Sequence, residues 1–145
     1  MQKFDPVDQD FEARVRYGFG LQTLMTTIDA RMTRILPGEV HIELPFSPNL
    51  TQQHGYIHAG LITSIVDSAC GFAAYTLMPA NSGVLTVEYK VNFLRPARGD
   101  KFLAVGRVIK PGRTLTICNG EVSAINGDDH RLVALMQATM MAVPS

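Results

Sequence analysis

Between His58 and Met78 the chain reads HAGLITSIVDSACGFAAYTLM, and its one carboxylate is Asp67. Leu61, Ile62, Ile65, Val66, Ala69, Phe72, Ala73 and Leu77 fall on every side of a helical projection. A helix built from them must be covered all round, not along one stripe. The rest of the chain is therefore expected to wrap this segment. A membrane span fits poorly, because spans take about 18 or more apolar residues in a row, and Thr63, Ser64, Asp67 and Ser68 break this run. A carboxylate among Ile, Val, Ala and Phe is costly to bury unless hydrogen-bonded, and its pKa should rise. Asp67 then reads in two ways: as a functional carboxylate, or as a helix-edge residue that is partly solvated or bonded to a hydroxyl such as that of Ser68.

A chain of 145 residues is one domain able to bury a substantial core. Thirteen basic and thirteen acidic residues cancel, so no global field draws in nucleic acid or an anionic membrane. Cys70 and Cys118 lack metal-ligand spacing and make no disulfide framework. The opening MQKFDPVDQDFEARV holds acidic residues and no apolar signal core. These features predict a cytoplasmic protein with free thiols, no metal, and neither nucleic acid nor membrane as partner.

In chain order, Asp8 and Asp10 are potential caps for a short amphipathic helix over about 8–27, carrying Phe11, Val15 and Phe19 at i, i+4 and i+8. A strand over Ala30–Leu36, a Pro37-Gly38 turn and an alternating strand over Glu39–Phe46 follow. The polar loop FSPNLTQQHGYI leads into the long helix. His54 and His58 are four apart, but Gly55 and the missing glutamate exclude a zinc-protease motif. Beyond the helix, Val84–Leu94 alternates, with Leu85, Val87, Tyr89, Val91 and Phe93 on one face and Thr86, Glu88, Lys90 and Asn92 on the other. Strands at Lys101–Ile109, Thr114–Ile125 and about Arg131–Val143 complete the pattern, joined by short turns that favour antiparallel neighbours. This predicts an α+β arrangement, a long helix against an antiparallel sheet of five to six strands in a single domain.

Four pieces in this order resemble the hotdog-fold acyl-CoA thioesterases of the phenylacetate-degradation type. They are Gly55-x-x-His58-x-Gly60 at the helix entry, Asp67 nine residues beyond His58, TVEYKVNFLRPA at 86–97, and PGRTL at 111–115. The resemblance covers about Gly38 to Ala142. It implies a central helix wrapped by the sheet, and subunits paired so that their sheets are continuous, as a homodimer or homotetramer. It further implies that Asp67 is general base on water or nucleophile on the thioester carbonyl. By the same resemblance, Gln52 orients water or carbonyl, the Ala59 backbone N–H polarises the thioester oxygen, His58 fixes the loop, and Thr86 assists the nucleophile. The usual His-Gly-Gly is His58-Ala59-Gly60 here, which keeps the N–H but narrows the backbone angles at Ala59.

Thioester hydrolysis needs a base or nucleophile at the carbonyl carbon and donors at its oxygen, which a helix N-terminus supplies. Residues 58 and 67 are nine apart, about 13.5 Å along a helix and on opposite faces. If both serve one thioester they come from two chains, and the minimal unit is a two-fold dimer with two composite sites. For the phosphates of coenzyme A, part of the substrate and not a cofactor, Arg95, Arg98 and Arg113 lie near strand ends or turns. Arg113 is the first choice, because the resemblance supports it most, and Gly112 offers a backbone N–H. Gly60 at the helix entry and the small polar Ser68 complete the candidate substrate-contacting set. Acyl-CoA hydrolysis is the main expectation. A non-catalytic acyl-thioester-binding protein of the same fold, with a structural Asp67, is the alternative.

Overall fold

The computed structural model describes residues 3–145. The N-terminal stretch expected as one helix is two, α1 (Phe11–Gly20) and α2 (Thr23–Thr27), separated at Leu21-Gln22. Asp10 precedes α1, but its side chain makes no capping bond. Asp8 instead accepts the Asp10 N–H (3.0 Å) and pairs with Arg14 Nε (2.9 Å). A hairpin follows, β1 (Arg31–Leu36) and β2 (Glu39–Pro45), turning at Pro37-Gly38 with Gly38 at a φ of 79° that glycine adopts without strain.

The apolar run forms α3 (Ala59–Tyr75), with eight side chains buried. Arg14 donates from Nη2 to the carbonyls of Met78 (2.8 Å) and Tyr75 (3.3 Å), and its guanidinium lies 4.3 Å from the Tyr75 ring centre. A cation on the last carbonyls of a helix is favourably placed. It fastens α1 across the C-terminal end of α3, where Phe19 also meets Phe72 edge-on at 6.0 Å.

Four strands complete the chain: β3 (Ser82–Phe93), β4 (Lys101–Lys110), β5 (Leu115–Asn126) and β6 (Asp129–Pro144). All six strands pair antiparallel in one sheet, in the order β1-β2-β4-β5-β6-β3. Alternation sets the inner face: Val40, Ile42 and Leu44 of β2 and Phe102 and Ala104 of β4 are buried. The helix lies deepest where Gly106 of β4 stands opposite Gly120 of β5. A Cβ on Gly106 would overlap the backbone of Ala69 and Cys70, and one on Gly120 would sit 2.5 Å from Val66 Cγ2. The two glycines form a notch that seats α3 backbone against sheet.

Strand β3 departs from the strict alternation expected of it. Its register against β6 shifts between Thr86 and Glu88, a bulge that adds one residue. Thr86 therefore faces Met140 on the same inner side as Tyr89, Val91 and Phe93, which face Ala138, Met136 and Ala134, while Leu85 turns outward. β3 is also an edge, pairing with β6 alone, and Leu85, Val87, Tyr89 and Phe93 along it are about half exposed. A long apolar edge of this kind is a template for another strand. Among the described residues, no helix is long and apolar enough to cross a membrane.

Candidate active site

The site is built on α3 and the elements at its two ends. His58 is the N-cap, and its Nδ1 accepts the Gly60 N–H at 2.8 Å. A Cβ on Gly60 would lie 2.9 Å from that nitrogen, so the glycine makes room for the cap. The preceding loop is pinned by His58 N–H to the Leu50 carbonyl (3.0 Å) and Ile57 N–H to the Ala97 carbonyl (3.1 Å). Ala59 is the first helical residue, and among the described residues its N–H meets no acceptor. Such a donor at a helix N-terminus, where the dipole is positive, is suited to a developing oxyanion.

A cavity of about 540 Å³ opens beside that N–H, with Gln52, Tyr56, His58, Phe93 and Arg95 among its walls. The Gln52 carbonyl oxygen faces the loop, accepting from the N–H groups of His54 and Tyr56. Its amide NH₂ is left for the cavity. Arg95 is oriented by a 2.7 Å bond from Nη1 to the Leu132 carbonyl. Gly112 and Arg113, in the turn between β4 and β5, are exposed and border neither this cavity nor the one at Asp67. A Cβ on Gly112 would overlap the Leu115 carbonyl, so the turn itself requires that glycine.

Asp67 lies two turns further along α3, half-buried, in a separate cavity of about 80 Å³. No residue borders both cavities. Burial raises the Asp67 pKa above the ordinary aspartate value, and a hydrogen bond from Thr86 partly offsets this. Thr86 Oγ1 donates to Asp67 Oδ1 at 2.8 Å, a contact that exists because the β3 bulge turns Thr86 toward the helix. Ser68 bonds elsewhere, donating from Oγ to Gln22 Oε1 at 3.1 Å. Gln22, at the α1–α2 break, borders the Asp67 cavity and went unnoticed in the sequence. Its local signal is only the weakened helix near Gly18 and Gly20.

Cys70 does not compete as nucleophile. Burial, reinforced by Cys118 and Asp67, holds its thiol well above the usual range, and burial pushes that of Cys118 up to about 12. Thr86→Val should raise the Asp67 pKa further, since it deletes the one bond that favours the carboxylate. The titration of the Asp67 carboxyl carbon by NMR measures this, and an unchanged or lowered midpoint would show that the bond does not bear on ionisation.

Comparison with known proteins assigns the scaffold. Residues 54–129, which hold the end of the loop, α3 and strands β3 to β5, match the family model described as the thioesterase superfamily. The crystal structure of a thioesterase family protein from Silicibacter pomeroyi is 45% identical and superposes with a TM-score of 0.91 over 93% of this chain and 99% of that one. A provisionally named esterase of Saccharolobus solfataricus is 31% identical over 100 residues, 69% of this chain and 71% of the relative. The PaaI protein of E. coli, from the phenylacetic acid degradation operon, shares the fold at 16% identity, with a TM-score of 0.83 over 94% of this chain and 95% of that one. The sheet wrapped on α3 is thus the hotdog fold, and the chain belongs to the thioesterase superfamily, whose chemistry is thioester hydrolysis.

Proposed function

We infer that this protein is an acyl-CoA thioesterase that works as a homodimer or an assembly of dimers. The observation that carries the reading is Asp67: a half-buried carboxylate whose second oxygen has no partner among the described residues, held by Thr86 at the mouth of a cavity. Ionised, it either takes a proton from water or attacks the thioester carbon directly. The Ala59 N–H receives the carbonyl oxygen as it gains charge, His58 holds that end of the helix in shape, and the Gln52 amide steadies water or carbonyl.

Support for the dimer comes from two features. Asp67 and Ala59 of one chain open into different cavities, and the free apolar edge of β3 offers a surface on which a second β3 can continue the sheet. Pairing there sets Asp67 of one protomer against Ala59 of its partner. Arg95 beside the Ala59 cavity, Arg98 shortly after it, and Arg113 with the Gly112 N–H at the distant β4–β5 turn form the set from which the phosphates of coenzyme A are bound. The chemistry calls for no metal or cofactor.

A pair of variants tests both the reaction and its composite character. Ala59→Pro removes the N–H at a position where proline suits a helix, and His58 already has the extended backbone (φ −59°, ψ 134°) that proline requires before it. It should cut kcat by about 10²–10³-fold, with thiol release from a panel of aromatic and straight-chain acyl-CoAs as readout. Mixing it with Asp67→Asn after subunit exchange should restore turnover, because each mixed dimer regains one intact pairing. No recovery from fully exchanged dimers would place both groups in one chain, and no turnover by the parent would favour a binding protein.

A further inference from the structure

Gln22 occupies a position that hydrolysis as described above does not use. Its backbone is fixed at the α1–α2 junction: the N–H donates to the Phe19 carbonyl (3.0 Å) and the carbonyl accepts from Met25 N–H (3.1 Å). Its side-chain oxygen accepts from Ser68 Oγ, which orients the amide and turns the NH₂ group away from Ser68. Among the described residues that NH₂ finds no acceptor, although it stands at the wall of the Asp67 cavity. The remaining walls are Gly71, Phe72, Val84 and Thr86. Gly71 brings no side chain, so the space continues from Asp67 toward the C-terminal half of α3, past apolar Phe72 and Val84. The cavity of about 80 Å³ compares with about 30 Å³ for a water's share of the liquid, which is room for a group of about three heavy atoms. The Asp67 oxygen nearest β3 is already engaged by Thr86. Apart from the second Asp67 oxygen, which hydrolysis uses and to which the Gln22 NH₂ makes no hydrogen bond, the cavity lacks an acceptor for that NH₂.

We propose that Gln22 is a specificity-determining residue that donates a hydrogen bond to an oxygen on a short acyl group, so that short hydroxyacyl and oxoacyl thioesters are preferred over their unsubstituted counterparts. The assignment rests on acyl-thioester hydrolysis at Asp67 and names the acyl class for that site. Plain acyl chains of the same length leave the donor without a partner in a part-buried cavity, and a site of this kind discriminates against the group that cannot complete the bond. Arg14 and the Phe19–Phe72 contact matter indirectly, because they hold α1 on α3 and so set where Gln22 stands.

The test compares kcat/KM for butanoyl-CoA, 3-hydroxybutanoyl-CoA and 3-oxobutanoyl-CoA in the parent, Gln22→Leu and Gln22→Glu, with melting curves to verify that each variant is folded. The parent should favour the oxygenated substrates by about tenfold, and Gln22→Leu should bring both ratios close to one. Gln22→Glu retains an acceptor for Ser68 and loses the donor, so it should remove the 3-oxo advantage while a hydroxyl can still donate to it. Equal rates for the three substrates in the parent, ratios that survive both substitutions, or an equal slowing of all three with the ratios intact would each overturn the proposal. Failure of the underlying reading looks different: none of the three thioesters releases thiol with the parent protein, and the Gln22 assignment falls with it.

Discussion

Asp67→Asn is expected to lower kcat for thioester hydrolysis by about 10³-fold while leaving the protein at least as stable as the parent at neutral pH. The loss follows because an amide can neither accept a proton from water nor attack a carbonyl. The stability follows from the direction of the pKa shift. Burial places the folded-state pKa of Asp67 above its unfolded value. Between those two values the folded chain still holds a proton that the unfolded chain has released, so stability declines as pH rises through that window and stays lowered above it. Asparagine never carries the charge, and its Oδ1 still accepts from Thr86. The gain is modest, since Asp67 is only half-buried. Melting curves should therefore separate at pH 7, with the variant higher, and converge below the unfolded carboxyl pKa. Retained turnover would remove Asp67 from the mechanism, and a variant that melts lower at pH 7 would mean that the carboxylate is structural.

Gly106→Val is expected to be the most damaging single change to the fold, at about 3 kcal/mol or more. Overpacking usually costs less because side chains give way, but here the added carbons land on the backbone of Ala69 and Cys70. Relief requires lifting α3 from the sheet, and Gly120 opposite, with Val66 and Cys70 Sγ within 2.8 Å of its Cβ direction, leaves no room to shift sideways. Gly106→Ala should show much of the same effect in denaturant titration. Gly20→Ala, where nothing lies within 4 Å, serves as the neutral control. If Gly106→Ala unfolds within about 1 kcal/mol of the parent, the contact is softer than its geometry implies.

Much of this architecture was legible because it depends on pattern. A segment apolar on every side has to be enclosed, and Val40, Ile42 and Leu44 alternating with Glu39, His41 and Glu43 left little choice about which face of β2 is buried. What escaped the sequence depends on contacts across long separations or on features without a residue signature. Val87 supplies the extra residue in β3, yet it is a β-branched residue of the kind regular strands favour, and nothing in its chemistry announces a bulge. The inward turn of Thr86 was lost with it. Gln22 meets Ser68 across 46 residues, and no local pattern links them. Gly106 and Gly120 were visible as glycines inside strands, which signals a bulge or a close approach without saying which. The loop residues were intermediate: the helix-entry motif located His58, but only coordinates reveal that its ring accepts the Gly60 N–H and that the Gln52 carbonyl faces its own loop.

The glycine notch also divides the molecule into what can move and what cannot. With no side chain between α3 and the sheet at Gly106, there is no layer of rotamers to act as a bearing, and the helix can neither slide nor roll as substrates come and go. Breathing motions are left to α1–α2, held through the Arg14 and Phe19 side chains, and to the loop from Phe46 to His58, tied down by a few backbone hydrogen bonds. Amide hydrogen exchange should accordingly be slowest where α3 crosses β4 and β5 and fastest in those two segments, so that acyl groups enter and leave past moving walls around an immobile carboxylate.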